Sequence, residues 1–128
     1  MTLSKPFRNA YEAELTRRET DRRAREEADR AQQEADHART LKLHAALAAE
    51  SAFLNEKHLT LDHTRYAVTL DHPNFRLRAY FEAGQISVTS ADKRNTATPT
   101  AAPRMQEIVE TVDAALGLLA RYLADEFH

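Results

Sequence analysis

The 128-residue chain contains no cysteine and only two glycines. Without cysteine there is no disulfide, no thiolate nucleophile and no cysteine-ligated zinc or iron–sulfur centre. Phosphate-binding loops need several glycines close together, whereas Gly84 and Gly117 lie far apart. Nowhere do about 18 apolar residues follow one another, as a membrane-spanning helix requires. These absences argue against thiol enzymes, nucleotide-binding enzymes and membrane proteins, and no cofactor is expected.

Charged residues make up 30% of the chain, with 18 basic and 20 acidic side chains and a net charge of −2. The two signs are interspersed, so the sequence has no concentrated basic face of the kind that nucleic-acid-binding proteins use. Hydrophobic residues make up 42%, which is typical of a folded chain. Residues 1–6 lack the apolar run of a signal peptide, and a cytoplasmic location is therefore expected. Arginine outnumbers lysine 14 to 4, which suggests a GC-rich bacterial or phage genome.

Residues 6–57 contain no glycine, and their only proline stands at the first position, where a helix tolerates it. This stretch predicts one uninterrupted helix, roughly 78 Å long at a rise of about 1.5 Å per residue. Pairs of opposite charge at i,i+4 spacing support it, among them Glu14–Arg18 and Glu19–Arg23.

The start of this helix carries an apolar patch, because Phe7, Tyr11 and Leu15 follow one another at i, i+4 and i+8. An apolar triplet on one helix face is typical of a helix that inserts into a partner's groove. The candidate partner-binding residues are Phe7, Tyr11, Leu15, Arg18 and Arg22. The alternative is that the triplet packs against this chain's own fold or against a second subunit.

A second pattern along the helix is a row of alanines at alternating spacings of four and three. The row comprises Ala24, Ala28, Ala31, Ala35 and Ala38, and continues at Ala45, Ala49 and Ala52, with Lys42 the only interruption. Such an a/d seam predicts close pairing of two helices and hence a homodimer. The alternative is that alanine is present only because it is the best helix former.

From Leu41 onward the helix becomes broadly apolar and is expected to cover a sheet. Apolar and polar residues then alternate over residues 66–70, 75–81 and 86–88, which predicts three strands. The turns between them contain Pro73 and Gly84. These features predict an antiparallel meander and allow a short extra strand at residues 59–61.

A Thr/Ala/Pro-rich stretch, residues 92–102, is interpreted as a mobile loop. The last helix is predicted to begin at Pro103, because apolar residues from Met105 to Phe127 form one stripe along it. The sequence thus predicts an α+β fold with element order α-β-β-β-α, dimeric through its helices. Residues 1–128 would form one domain, with a protruding helical arm at 6–40 and a globular part at 41–128.

Histidines and carboxylates supply a candidate metal site. Thr-Leu-Asp-His occurs twice, ending at His63 and His72, and with His58 these imidazoles are potential ligands. Glu34-x-x-His37, with His44 two turns further on, has the spacing that di-iron bundles use. The simpler interpretation is that the two Asp-His pairs mark turns at strand ends.

One predicted strand carries Arg76, Arg78 and Tyr80 on its polar face. Together with Arg65, Lys93 and Arg94 they form a candidate nucleic-acid-binding surface, with an aromatic ring for base stacking. The α-β-β-β-α order also resembles that of the YbaB/EbfC-type nucleoid-associated proteins. That resemblance, which is one of element order, implies a dimer that binds DNA.

The sequence as a whole favours a non-enzymatic adaptor or regulatory protein, of bacterial or phage origin, that presents the helical arm or the sheet face to a macromolecular partner, which is expected to be a protein. The alternatives are a nucleic-acid-binding dimer that uses the arginines and Tyr80, and a His/Glu metal-site protein. No interaction with a membrane is expected.

Overall fold

The computed structural model describes residues 4–94 and 103–127, with the side chains of Ser4, Pro103 and Arg104 excepted. The chain divides into two units, Met1–Gln32 and Gln33–His128. In order, the elements are α1 Ser4–Ala48, α2 Ser51–Glu56, β1 Thr60–His63, β2 Ala67–Asp71, β3 Phe75–Glu82, β4 Gln85–Asp92, β5 Pro103–Val109 and α3 Val112–Glu126.

The first unit is helical from Ser4 onward, and none of its described side chains is buried. Its charges are paired along the helix as the spacing predicts. Arg18 lies 3.0 Å from Glu14, and Arg23 lies 3.0 Å from Glu19. Each such exposed pair contributes little to helix stability, because water and salt screen the two charges. Several pairs together support a helical segment that buries nothing within its own unit.

The second unit is built on an antiparallel sheet in which the strands neighbour one another in chain order, β1-β2-β3-β4-β5. The α+β class and the antiparallel arrangement are confirmed, but the predicted three strands are corrected to five in the part of the chain that the structure describes. One addition is β1, which overlaps the optional strand at residues 59–61 and pairs Thr60 with Asp71 and His63 with Val68.

The other addition, β5, corrects the predicted start of the last helix at Pro103. Residues 103–109 pair with β4, so that Val109 lies opposite Ile86 and Gln106 opposite Thr89. This pairing gives hydrogen-bond partners to the backbone N–H and C=O groups along the edge of β4. The apolar spacing of residues 103–109, taken alone, carries no information about such pairing with another strand. The last helix begins only after Thr111, whose hydroxyl accepts a hydrogen bond from the Ala114 N–H at 3.0 Å. The α-β-β-β-α order behind the resemblance to the YbaB/EbfC type is therefore not retained.

The single helix predicted over residues 6–57 is also corrected, because α1 ends at Ala48 and the short α2 follows a turn. After α2 the chain reverses at His58, which has a positive φ of 59°. The turns bring Leu54 and Leu59 into the core, where they are 5% and 4% exposed. Burial of these two side chains stabilises a break for which the local sequence has no glycine or proline signal. Of the predicted mobile loop at 92–102, residues 95–102 lie outside the described residues.

The core lies between the helices and one face of the sheet. Along β3, Phe75, Leu77, Ala79 and Phe81 are buried and alternate with exposed residues, as expected for a sheet covered on one face. α1 supplies Leu43 and Leu47, and α3 supplies Ala115, Leu118, Leu119 and Tyr122. The alternate residues of the strands, including Arg76, Arg78 and Tyr80, lie on the opposite face, here called the outer face.

Gly117 offers a simple test of α3. No heavy atom lies within 4 Å of a Cβ added at this exposed helical position. Gly117→Ala is therefore expected to raise the free energy of unfolding by about 0.5–1 kcal/mol, because alanine restricts the unfolded chain and favours the helix. Urea denaturation measures the change. The exposed Ala120→Gly in the same helix is the reverse control, and a loss of stability in Gly117→Ala would contradict the placement.

Candidate functional site

The apolar triplet at the start of α1 is exposed. Phe7 is 78% exposed, Tyr11 58% and Leu15 49%. Their spacing of four residues places the three side chains along one face of the helix over about two turns. Within Met1–Gln32, the described residues provide no cover for this face. Because α1 is helical over these residues, they form the single apolar face that the sequence predicts.

The charged residues next to the triplet are bound to one another. Arg17 and Arg18 both hydrogen-bond to Glu14, and the contact with Arg17 is the stronger influence on that carboxyl. Together they lower the pKa of Glu14 to about 2. Arg22 lies between Glu19 and Glu26, with its Nη1 2.7 Å from the Glu26 carboxylate. Arg18 and Arg22, two predicted partner-binding residues, are thus already held by carboxylates of the same helix.

The predicted dimer-seam alanines, Ala24, Ala28, Ala31, Ala35 and Ala38, are all exposed. In the second unit, α1 meets the core through different residues: Asp36, Thr40, Leu43 and Leu47. At about 100° per residue, these buried positions lie about 140° around the helix from Ala35 and Ala38, the seam alanines of the same unit. The seam is therefore not used by the chain's own core. Dimerisation itself stays a prediction.

The six residues of the candidate nucleic-acid surface are not brought together as one free basic patch. Arg76 lies 3.3 Å and Lys93 2.9 Å from the same Asp71 carboxylate oxygen. Arg94 binds Asp92 at 3.0 Å and Glu126 at 3.3 Å. Three of the five predicted positive charges are thus paired with carboxylates of the same chain.

Burial alone would raise the pKa of Asp71, but its hydrogen bonds to Lys93 and Arg76 outweigh this and hold the pKa below its usual value. The carboxylate therefore stays ionised and keeps both cations paired at neutral pH. This contact brings together the end of β2, the start of β3 and the residue after β4. The alternation of residues along β3 alone therefore did not predict it.

The other members of the set lie beside aromatic rings. The Arg78 guanidinium is 5.6 Å from the centre of the Tyr80 ring on the outer face. Arg65 lies 5.7 Å from the Tyr66 ring and donates to the Tyr66 hydroxyl at 3.2 Å. Arg78 and Tyr80 are the part of the predicted surface that the fold leaves available for a ligand.

A shallow cavity of about 380 Å³ lies next to Tyr80 on the outer face. Its walls include Gln85 and Ser87 of β4, together with Gln106 and the 58% exposed Ile108 of β5. Gln106 and Ile108 were missed as candidate binding residues because residues 103–109 were assigned to a helix. The one available signal was the β-branched pair Ile108-Val109, which favours a strand.

The histidines of the metal hypothesis have separate partners. His37 Nδ1 lies 2.8 Å from the Arg65 carbonyl oxygen, and the His44 ring packs against the His63 ring at 4.1 Å. His72 stacks on Phe75 at 4.4 Å. Among the described residues, no three His, Asp or Glu side chains are grouped so as to hold a metal ion.

His72 occupies a cluster with Phe75 and Phe127, whose rings lie 4.4 and 5.8 Å from the imidazole. Burial lowers the pKa of His72, and the positive charges of His58, Lys93 and Arg94 act in the same direction. The Nδ1 atom of His72 must also carry no proton, because it accepts a hydrogen bond from the Asn74 N–H at 3.0 Å.

Acidification is therefore expected to weaken the fold through His72. A lowered folded-state pKa means that the unfolded state binds more protons, so stability is complete above about pH 6.5 and falls as the pH drops below that value. Urea denaturation of the wild type and His72→Gln at a series of pH values measures this. The variant should lose less stability than the wild type between pH 7 and pH 5. Parallel curves would show that His72 does not contribute.

Comparisons with known proteins found no matching family model, no matching curated protein and no matching solved structure. Within residues 4–94 and 103–127, no helix combines the length and apolar character needed to cross a membrane. The surfaces described above are therefore the only basis for a functional proposal.

Proposed function

We propose that this protein is a non-enzymatic adaptor or regulator that binds a protein partner through the start of α1. The supporting observation is that Phe7, Tyr11 and Leu15 are 78%, 58% and 49% exposed on one helix face. Scattered exposed apolar residues are normal, but contiguous ones mark interaction surfaces. Aromatic residues such as Phe7 and Tyr11 are also enriched in the buried centres of protein interfaces.

The binding mode that fits this surface is insertion of a helix into an apolar groove. Such helices present anchors at spacings of three and four residues. Phe7, Tyr11 and Leu15 are spaced in that way, and the paired charges of Glu14, Arg17 and Arg18 beside them keep the segment helical before binding. A helix that is already formed loses less conformational entropy on binding, so more of the interaction energy contributes to affinity. The partner's groove would accordingly be apolar, with room for two aromatic rings.

Alanine substitution of the three anchors tests this proposal. The tagged full-length chain, the triple variant Phe7→Ala/Tyr11→Ala/Leu15→Ala and a control would be used to recover partners from a lysate of the organism that encodes the chain. The control, Asn9→Ala/Thr16→Ala/Thr20→Ala, changes three exposed residues on the other side of the same helical segment. Recovery of a specific partner should fall roughly tenfold or more with the anchor variant and stay unchanged with the control. Equal recovery with both variants would refute the role of the anchors.

A nucleic-acid-binding dimer is the second candidate, supported by the stacked Arg78 and Tyr80 on the outer face. Binding that uses phosphate contacts and base stacking should be measurable at about 50 mM salt and fall steeply as the salt concentration rises. Arg78→Ala/Tyr80→Ala should abolish it, whereas Gln85→Ala on the same face should not. Absence of DNA and RNA binding by the wild type at low salt would eliminate this candidate.

A further inference from the structure

The described sheet ends in two edge strands, β1 and β5, which differ in how well they are protected against pairing with another chain. Proteins protect edge strands by keeping them short and by placing charged residues on them. β1 follows this rule, since it has four residues and includes Asp62. β5 has seven residues, and Pro103 prevents backbone donation only at its first position. β5 is therefore the less protected edge.

β5 pairs with β4 on one side only. On its other side, none of the residues 4–94 and 103–127 forms a hydrogen bond with the backbone N–H and C=O groups of residues 103–109. α3 packs mainly on β3 and β4, and it leaves Met105 and Ile108 41% and 58% exposed on opposite faces of the sheet. An unpaired backbone edge with exposed apolar side chains is the arrangement that favours pairing with a further strand.

The charges of β5 are compatible with a second copy of the same strand. Arg104 and Glu107 are its only charged residues, so two copies bring together no excess of either sign. The Glu107 carboxylate is bound to Arg121 of α3. A strongly charged partner strand would find no complementary charge on this edge, whereas an identical strand matches its neutral and partly apolar character.

We infer that β5 pairs with β5 of a second copy, in an antiparallel arrangement centred on Gln106. A two-fold axis at this residue places residues 103–109 opposite residues 109–103 of the second copy, so that the whole strand is paired. The two sheets join into one, with the helices of both copies on the same side. The two outer faces, each with its Arg78 and Tyr80, then form one continuous surface.

The side chains favour this register over the neighbouring ones. A pair centred on Glu107 would place two carboxylates directly opposite each other, which is destabilising. A pair centred on Met105 or Ile108 would leave part of each strand without a partner. With Gln106 at the centre, two amides face each other. The Gln106 Nε2 donates to the Ser87 Oγ at 2.9 Å, which leaves its second N–H and its amide oxygen for the facing amide.

This inference concerns β5 and does not rest on partner binding by the Phe7 anchors. The triple variant Phe7→Ala/Tyr11→Ala/Leu15→Ala should lose partner recovery and keep the dimer mass, whereas charged variants at Gln106 should do the reverse. A failure of the proposed function and a failure of the dimer are therefore distinguishable.

Charges introduced at position 106 test the pairing in the full chain. Sedimentation equilibrium of the wild type should give twice the chain mass of 14.5 kDa at high protein concentration. Gln106→Glu and Gln106→Lys each place like charges opposite each other and remove the amide pair, and each should raise the dissociation constant roughly tenfold. An equimolar mixture of the two variants should restore the dimer, because glutamate then faces lysine. The Gln106 side chain is exposed, so the variants should fold.

Gln85 provides the matched control, because it is also an exposed glutamine on the outer face but belongs to β4. Gln85→Glu and Gln85→Lys should have the same mass as the wild type, both separately and mixed. Three results would overturn the pairing: a wild type that stays at the mass of one chain, a dimer that is insensitive to charge at position 106, or no recovery in the mixture.

Cysteine cross-linking tests the register, since the described chain has no cysteine of its own. Gln106→Cys should form a disulfide-linked dimer under mild oxidation, because directly opposite residues of antiparallel strands have Cα atoms about 4.5–5.5 Å apart. Gln85→Cys should remain unlinked. Efficient cross-linking of Ile108→Cys together with none of Gln106→Cys would overturn the register centred on Gln106.

Discussion

Replacement of Leu43 by alanine is expected to lower the free energy of unfolding by about 3–4 kcal/mol, which is a large part of the stability of a domain of this size. Leu43 is fully buried, with 0% of its surface exposed, in the cluster that joins α1 to the sheet and to α3. The truncation removes its contacts and leaves a cavity that a close-packed core fills only in part. Urea denaturation followed by circular dichroism measures the change.

Leu41 provides a matched control for this substitution. It lies two residues away on the same helix but is 43% exposed, because it faces away from the sheet. Leu41→Ala should change the free energy of unfolding by about 1 kcal/mol or less. Similar losses for the two variants would mean that α1 meets the sheet through a different face from the one described.

The sequence predicted the parts of the fold that are specified locally. The alternation along β3 identified Phe75, Leu77, Ala79 and Phe81 as the buried face, and the charged helix was identified from its glycine-free composition and ion pairs. The arrangement of Phe7, Tyr11 and Leu15 along one face also follows from helical spacing alone. In each case the periodicity of one element was sufficient.

The errors arose where a distant segment determined the structure. Residues 103–109 have apolar spacings that fit a helix, but pairing with β4 made them a strand. The break after Ala48 depends on burial of Leu54 over the core. The ion pairs of Asp71 with Arg76 and Lys93 were missed for the same reason, since these residues meet only after the strands have paired.

A polar junction between α1 and the sheet was missed as well, because its residues look like part of a solvent-exposed charged helix. Asp36 is only 3% exposed, and its carboxylate accepts a hydrogen bond from the Gly84 N–H at 3.1 Å. Arg39, one turn further along, donates to the Gly84 carbonyl oxygen at 2.9 Å and to the Glu110 carbonyl oxygen. Two side chains of α1 thereby bind the N–H and the C=O of Gly84 in the β3–β4 turn.

Asp36→Ala is expected to destabilise the fold by about 2 kcal/mol, because it leaves a partly buried backbone N–H without its acceptor. Asp36→Asn keeps an oxygen for the Gly84 N–H and should lose about half as much or less. Asp29→Ala, at an exposed site of the same helix, should have little effect. Gly84 has a φ of 79°, a backbone conformation that favours glycine, so a substitution there would strain the turn. The junction is therefore tested by substitutions in α1.

Amide hydrogen exchange at Gly84 separates loss of this hydrogen bond from a general loss of stability. Asp36→Ala should speed exchange at Gly84 more than at the buried β3 and β4 amides, which report global unfolding. Asp36→Asn should give an intermediate rate at Gly84. If all amides speed up equally in Asp36→Ala, the carboxylate stabilises α1 in general and the turn is not held by it. A selective effect at Gly84 would show that the buried Asp36 carboxylate fixes α1 to the β3–β4 turn.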